Sequence, residues 1–230
     1  MYKLNLDEID PSGVIAEHHA AVEGDTRMSF LKKAGLGGAA AVSGGAVLSG
    51  LTASTASAAG RPPSKFGKGD IGILNFALTL EFLEAAFYNQ ATANKIVTDP
   101  QTVIFLQTVT RDENRHVGFL RGALGSKATK KPKFDFGDTV KDPAMFAATA
   151  ELLENTGVSA YLGQAGNIKS TKILGQAGSI LTIEARHASV IGVINKKSSK
   201  GIAPDGAFDT PLSAKAVLAA VAKTKFIVKS

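Results

Sequence analysis

The motif Glu-x-Arg-His occurs twice in the chain, and this repetition constrains the fold more than any other feature of the sequence. It appears as Glu113-Asn114-Arg115-His116 and again as Glu184-Ala185-Arg186-His187. The other two of the four histidines, His18 and His19, lie in an N-terminal segment of different composition. Residues three apart lie on the same face of a helix, so each motif predicts a glutamate and a histidine that point the same way.

Four long segments with apolar residues at helical spacing carry these motifs and predict four helices. The segments span 70–96, 101–124, 144–166 and 172–196. Asp99 or Thr98 can cap the second helix ahead of Pro100, and Asp142 can cap the third ahead of Pro143. The links within each pair of helices are short, whereas the polar link between the second and third is long. We therefore predict an all-α four-helix bundle with one long crossover between helices 2 and 3, and a tail with a further short helix over 213–223.

The two helical hairpins also look like copies of each other. Tyr88 follows Glu81 by seven residues, and Tyr161 follows Glu154 by seven residues. The offset between the copies is 73 residues for these glutamates and 71 for the glutamates of the Glu-x-Arg-His motifs. One helix with a glutamate followed by one helix with Glu-x-x-His, twice over, is an internal repeat.

Every glutamate in residues 60–230 lies on one of the four predicted helices. They are Glu81, Glu84, Glu113, Glu151, Glu154 and Glu184. Carboxylates buried together in a bundle cost several kcal/mol unless cations lie among them. Two divalent metal ions would nearly cancel four carboxylates, and oxygen and imidazole ligands without cysteine suit iron or manganese, although zinc or copper could compete.

The order Glu, Glu-x-x-His, Glu, Glu-x-x-His resembles the ferritin-like di-iron carboxylate proteins. The stretches NFALTLEFLEAAFY, VSAYLGQA and EARHASVI resemble in particular the exported bacterial ferritin-like domain proteins, over most of residues 70–197. This resemblance implies that Glu81 and Glu154 each bind one metal and that Glu113 and Glu184 bridge both metals. His116 and His187 would then complete one site each.

Several neighbours of these residues have two readings. Glu84 and Glu151 could be extra ligands, although a second ring of contacts or the surface suits them better. Tyr88 and Tyr161 could donate hydrogen bonds to ligand carboxylates or act as redox-active phenols, beside the plainer interpretation as core tyrosines.

Asp112-Glu113-Asn114-Arg115-His116 also resembles the Asp-Glu-x-Arg-His motif of di-iron oxygenases, which implies that Asp112 orients a histidine and pairs with an arginine. Ile183 stands at the matching position of the second motif, so such a network would be asymmetric. Arg115 and Arg186 could instead be ordinary charges on the helix surface.

The N-terminal segment 1–59 resembles an export signal. Thr26-Arg27-Met28-Ser29-Phe30-Leu31-Lys32-Lys33 is similar to a twin-arginine motif, with Met28 in place of the second arginine, and an Ala/Gly/Ser-rich run follows and ends at Ala56-Ser57-Ala58. We therefore expect an export signal over 1–59, a bundle with its tail over 60–230, and a periplasmic or cell-envelope location in a bacterium. A flexible tail and a cytoplasmic location are the alternative.

Residues 60–230 carry 22 basic and 14 acidic side chains, a net charge of +8. This charge could favour the envelope, but the sequence has no nucleic-acid-binding motif. The leading hypothesis is a di-metal redox protein, ferroxidase-like or reactive with O₂ or peroxide. The alternative is a non-catalytic envelope or stress-protection protein with a structural metal site. A substrate oxygenase is a further alternative. A storage cage is not expected, because acidic residues outside the helices are few. The sequence does not determine the oligomeric state.

Overall fold

The computed structural model describes residues 60–196, 201–204 and 206–228. These residues form a mostly helical structure with five α-helices. They are α1 (Gly69–Asn94), α2 (Pro100–Leu124), α3 (Pro143–Ala165), α4 (Thr171–Lys196) and α5 (Ala214–Thr224). The four predicted bundle helices and the short fifth helix are thus confirmed. The predicted export signal lies outside the described residues.

Local signals account for where the helices begin. The Asp99 side chain accepts a hydrogen bond from the Thr102 amide at 2.9 Å, and Pro100 opens α2. Asp142 does the same for the Met145 amide at 2.8 Å, with Pro143 at the start of α3. Carboxylate caps of this kind satisfy amides that have no partner within the helix.

The long crossover between α2 and α3 is confirmed, and it contains more structure than the sequence predicts. It includes the 3₁₀ turns Gly125–Lys127 and Gly137–Val140 and a short strand, Lys133–Phe134. That strand pairs antiparallel with Ile227–Val228 near the C-terminus. Two-residue strands are set by this distant pairing, so local sequence preference does not reveal them.

The helices pack as two hairpins, α1 with α2 and α3 with α4, and the hairpins face each other through α1–α3 and α2–α4 contacts. One part of the core is aromatic: Phe87 stacks on Phe146, and Phe136 of the crossover packs edge-on against both Phe87 and Phe226. The crossover and the tail therefore close over the same part of the bundle.

Most residues of helix α1 are buried within the bundle. By length and composition it could cross a membrane, but 89% of its most apolar window is buried inside the protein. A helix that is apolar on all sides is typical of a bundle core. Acidic side chains on such a helix must find partners within the protein.

Candidate metal centre

Four carboxylates, one from each bundle helix, meet in the interior. Glu81, Glu113, Glu154 and Glu184 are each 0% exposed, and His116 and His187 are 9% and 5% exposed. The six residues that the sequence predicts as ligands are therefore brought together and buried. Each histidine lies one helical turn after the glutamate of its own motif, so His116 comes from α2 and His187 comes from α4.

The His116 ring nitrogen Nδ1 lies at the meeting point of three carboxylates. Its distances are 3.2 Å to Glu81 Oε2, 3.2 Å to Glu113 Oε2 and 3.1 Å to Glu184 Oε1. A ring nitrogen carries at most one hydrogen, so it can donate to only one of these three oxygens.

The second histidine repeats this arrangement on the other side of the cluster. His187 Nδ1 lies 3.1 Å from Glu113 Oε1 and 3.3 Å from Glu154 Oε2. Its other nitrogen, Nε2, lies 3.5 Å from Asp112 Oδ2. The two histidines thus turn the same atom, Nδ1, toward the carboxylates.

The cluster has more buried polar atoms than the described residues can satisfy. Despite these short distances, five buried atoms form no hydrogen bond of acceptable geometry with any described residue: Glu113 Oε1, Glu154 Oε2, both Glu184 carboxylate oxygens and His187 Nδ1. Buried polar groups in proteins are almost always paired, so orphaned atoms that all converge on one place point to a missing partner.

These atoms could hold metal ions. The ligand atoms form two groups in which all atoms lie within 4.8 Å of one another. The groups are Glu81, Glu113, His116 and Glu184, and Glu113, Glu154, Glu184 and His187. Two ligand atoms each about 2.1 Å from one ion and at right angles to each other would be roughly 3 Å apart, which matches the observed separations. Glu113 and Glu184 belong to both groups.

Without cations, protons must take up the excess negative charge. Burial, together with repulsion from Glu81, raises the pKa of Glu113 to about 8. Burial and repulsion from Glu113 raise the pKa of Glu184 well above its ordinary value. Burial opposes protonation of His187, yet contact with Glu113 and Glu154 raises its pKa to about 10. These raised pKa values result from the burial of several carboxylates close together.

Two tyrosines bind carboxylates across the hairpin interface. The Tyr88 hydroxyl on α1 donates to Glu154 on α3, and the Tyr161 hydroxyl on α3 donates to Glu81 on α1 at 2.5 Å. Each tyrosine thus bonds the glutamate of the opposite hairpin and not the one on its own helix. Burial and the nearby carboxylates raise the pKa of both phenols well above the ordinary value, which keeps them protonated as donors.

Glu84 is a fifth buried glutamate beside the cluster. It is 3% exposed, so the surface position considered for it is wrong. Gly157, on the facing helix α3, provides the space, because a Cβ on Gly157 would lie 3.3 Å from Glu84 Oε1 and 3.1 Å from Glu184 Oε2. Burial and repulsion from Glu184 raise the pKa of Glu84 well above its ordinary value.

The repeat itself could have pointed to this pairing. Gly157 follows Glu84 by 73 residues, the same offset that relates Glu154 to Glu81. Gly157 is therefore the counterpart of Glu84 in the second hairpin, where a glycine makes room for the carboxyl group that the first hairpin supplies. Sequence reasoning missed this functional glycine.

Glu151 lies away from the cluster. Its carboxylate accepts from Asn195 Nδ2 at 2.7 Å and pairs with Lys196 Nζ at 2.6 Å. Arg115 and Arg186 are both exposed. Among the described residues, the side chains of these three form no hydrogen bond or ion pair with the buried carboxylates.

Asp112 stands between the cluster and the surface. It receives two hydrogen bonds from Arg111, at 2.8 Å from Nε and 3.0 Å from the terminal nitrogen. Burial opposes ionisation of Asp112, but the Arg111 guanidinium lowers its pKa. The sequence predicted an aspartate that contacts a histidine and an arginine; the histidine is His187 of the other hairpin, and the arginine is Arg111, which the sequence reasoning missed.

The protein is therefore a four-helix bundle. Its centre holds buried glutamates and histidines that could bind metal ions. A family profile described as the ferritin-like domain matches residues 69–197, which is more than half of the chain. The chain belongs to the ferritin-like domain family. A search of curated proteins found no match.

Proposed function

We propose that this protein is a di-metal carboxylate redox protein that holds two ions, iron before manganese, and reacts with O₂ or peroxide. The observation that carries the proposal is the convergence of two histidine nitrogens on four fully buried carboxylates, with atoms left unpaired. Such a cluster is costly without cations and stable with them.

The shared residues support a particular arrangement of ligands. Glu81 and His116 would serve one ion, and Glu154 and His187 the other, with Glu113 and Glu184 bridging both because each belongs to both groups. Glu84 lies near Glu184 and has no acidic counterpart in the second hairpin, so the two metal positions would have unequal surroundings.

If the cluster held two ferrous ions, they would supply two electrons, the number needed to reduce one hydrogen peroxide, with two protons taken up, to two waters. The residues of the chain do the rest. Tyr88 and Tyr161 hold Glu154 and Glu81 in place by hydrogen bonds. Phe105 and Phe146 pack edge-on around the Tyr88 ring and keep water from it.

Aerobic addition of Fe²⁺ to the purified protein tests the proposal. We expect rapid oxidation with a transient visible absorption band. Glu113→Gln should slow it strongly, whereas Glu151→Gln should leave it unchanged, since Glu151 pairs with Lys196 outside the cluster. Oxidation no faster than in buffer, with two ions bound, would refute the redox role while leaving the metal site intact.

The second candidate is a structural metal site. It is favoured by one observation: the four fully buried carboxylates come from four different helices, so bound ions would tie the whole bundle together. Tight binding of redox-inert Zn²⁺ with a large rise in Tm, and no O₂ consumption with Fe²⁺, would support this role.

We also propose that the protein acts after export in a bacterial periplasm or envelope, with O₂ or peroxide as its small-molecule partner. The support is the twin-arginine-like stretch that includes Arg27 and Met28, together with the small-residue site Ala56-Ser57-Ala58. Fusing residues 1–59 to a reporter and fractionating the cells tests this. A reporter that stays in the cytoplasm, both with Met28 and with Met28→Arg, would overturn it.

A further inference from the structure

A groove of about 250 Å³ runs between α2 and α4 and ends at the cluster. His187 and Asp112 form part of its wall, so the groove reaches the ring whose Nδ1 faces the carboxylates. Pockets for drug-sized ligands are roughly 300–1,000 Å³, so this groove suits a smaller molecule. By contrast, the cavity beside Tyr161 measures about 20 Å³, room for little more than one water.

The sides of the groove are mainly apolar. Ile104 from α2 and Val190 from α4 line it and are 65% and 50% exposed, and Ile183 and Phe105 line it further along. Large apolar side chains that stay in contact with water gain free energy when an apolar ligand covers them. The groove can therefore accept a short hydrocarbon body.

The charge along the groove is positive. Asp112 is the acidic residue of the wall, and Arg111 already neutralises it through two hydrogen bonds. Arg186 also lines the groove, is exposed, and makes no ion pair with any residue that the structure describes. A guanidinium with free donors is suited to bind a carboxylate through two parallel hydrogen bonds.

We propose that this groove binds a small aliphatic monocarboxylate, with its carboxylate on Arg186 and its chain along Ile104, Ile183 and Val190. The ligand would lie beside the His187 edge of the cluster. The inference rests on the groove alone and does not depend on the redox proposal.

Calorimetric titration of the full chain with hexanoate, hexanol and hexylammonium tests the inference, first on metal-free protein. Hexanoate should bind, and the alcohol and the amine should bind about 10- to 100-fold more weakly or not at all, because neither can place a carboxylate on the Arg186 guanidinium.

Three variants locate the site. Arg186→Gln should weaken hexanoate binding roughly tenfold. Arg115→Gln, the exposed counterpart in the first motif, does not line the groove and should leave affinity unchanged. Val190→Trp fills the groove from an exposed position and should abolish binding, with circular dichroism confirming that each variant is folded.

The inference is overturned if wild-type protein does not bind hexanoate, if the alcohol binds equally well, or if Arg186→Gln and Val190→Trp bind like the wild type. Because binding is measured without iron, loss of hexanoate binding and loss of Fe²⁺ oxidation are separate results. Either proposal can therefore fail while the other stands.

Discussion

Each histidine of the cluster directs Nδ1 inward, within 3.3 Å of carboxylate oxygens from other helices. The ring therefore has its second nitrogen free to be held from outside, as His187 Nε2 is beside Asp112. Outer partners of this kind fix the orientation of a metal-binding ring and raise its affinity for metal.

The histidines are the simplest residues by which to count metal ions. We expect the wild-type protein to bind two ions per chain, His116→Ala and His187→Ala about one each, and the double variant none, because each histidine belongs to a different ligand group. Elemental analysis after anaerobic loading with Fe²⁺ measures this. Arg115→Ala, an exposed neighbour of His116, is the control and should keep both ions. Full loading of the double variant would contradict the ligand assignment.

The tyrosine hydroxyls should matter even without metal. Tyr88→Phe removes the donor to buried Glu154 and should lower the free energy of unfolding by about 1–3 kcal/mol, as expected when a buried acceptor loses its partner. Tyr161→Phe should have a similar effect through Glu81. Urea denaturation measures both. Equal stability of variant and wild type would mean that these hydroxyls serve another purpose, such as redox chemistry.

At the scale of helices, the two hairpins are copies that differ at informative positions. Glu84 in α1 corresponds to Gly157 in α3, and Asp112 in α2 corresponds to Ile183 in α4. The first difference places an additional carboxyl group beside Glu184, and the second gives only one histidine an aspartate neighbour. The two hairpins therefore surround the cluster with different side chains.

Gly157→Ala tests how closely α3 approaches the cluster. The added methyl would lie 3.1 Å from Glu184 Oε2, so we expect metal affinity to fall roughly tenfold, within the range seen for outer-contact changes. Gly178→Ala in α4 is the matched control, because a Cβ there meets nothing within 4 Å, and alanine there should stabilise the helix by up to about 1 kcal/mol. Competition with a chelator measures affinity. Similar metal affinities for the two variants would show that the Glu184 carboxylate can shift to accommodate the added methyl group without loss of metal binding.

The helices could be predicted because their signals are local: caps such as Asp99 and Asp142, prolines after them and unbroken apolar spacing. The six central residues could be predicted because the motif repeats. The burial of Glu84 could not be predicted. Glu84 lies one turn from Glu81, and its side chain could point to the core or to the surface unless Gly157 is known to face it. The Arg111–Asp112 pair and the strand at Lys133–Phe134 likewise depend on tertiary geometry.

For the molecule as a whole, protons and metal ions compete for one buried site. In metal-free protein the pKa of Glu113 is raised to about 8 from 4.5, and that of His187 to about 10 from 6.5. Between pH 5.5 and 8 the folded state therefore binds more protons than the unfolded state, and stability must fall as the pH rises. Metal binding requires deprotonated ligands, so the stabilisation by metal should instead grow with pH.

Thermal unfolding at pH 5.5 and pH 8, with and without metal, measures this reversal. We expect metal-free protein to have the higher Tm at pH 5.5, and the rise in Tm on loading to be larger at pH 8. Glu113→Gln should make the metal-free profile less steep, because one of the groups with a raised pKa is then gone. A metal-free Tm that increases from pH 5.5 to pH 8 would contradict the assignment of charge in the cluster.

Each hairpin supplies a tyrosine hydroxyl to a carboxylate of the other hairpin, so the two halves of the chain depend on each other. Tyr88 serves Glu154, and Tyr161 serves Glu81, so neither hairpin contains the donor that its own acid requires. If the backbone were cut in the crossover, the two pieces would have to dock before either acid was satisfied. A substitution of the tyrosine in one hairpin would accordingly leave a buried glutamate of the other hairpin without its hydrogen-bond donor.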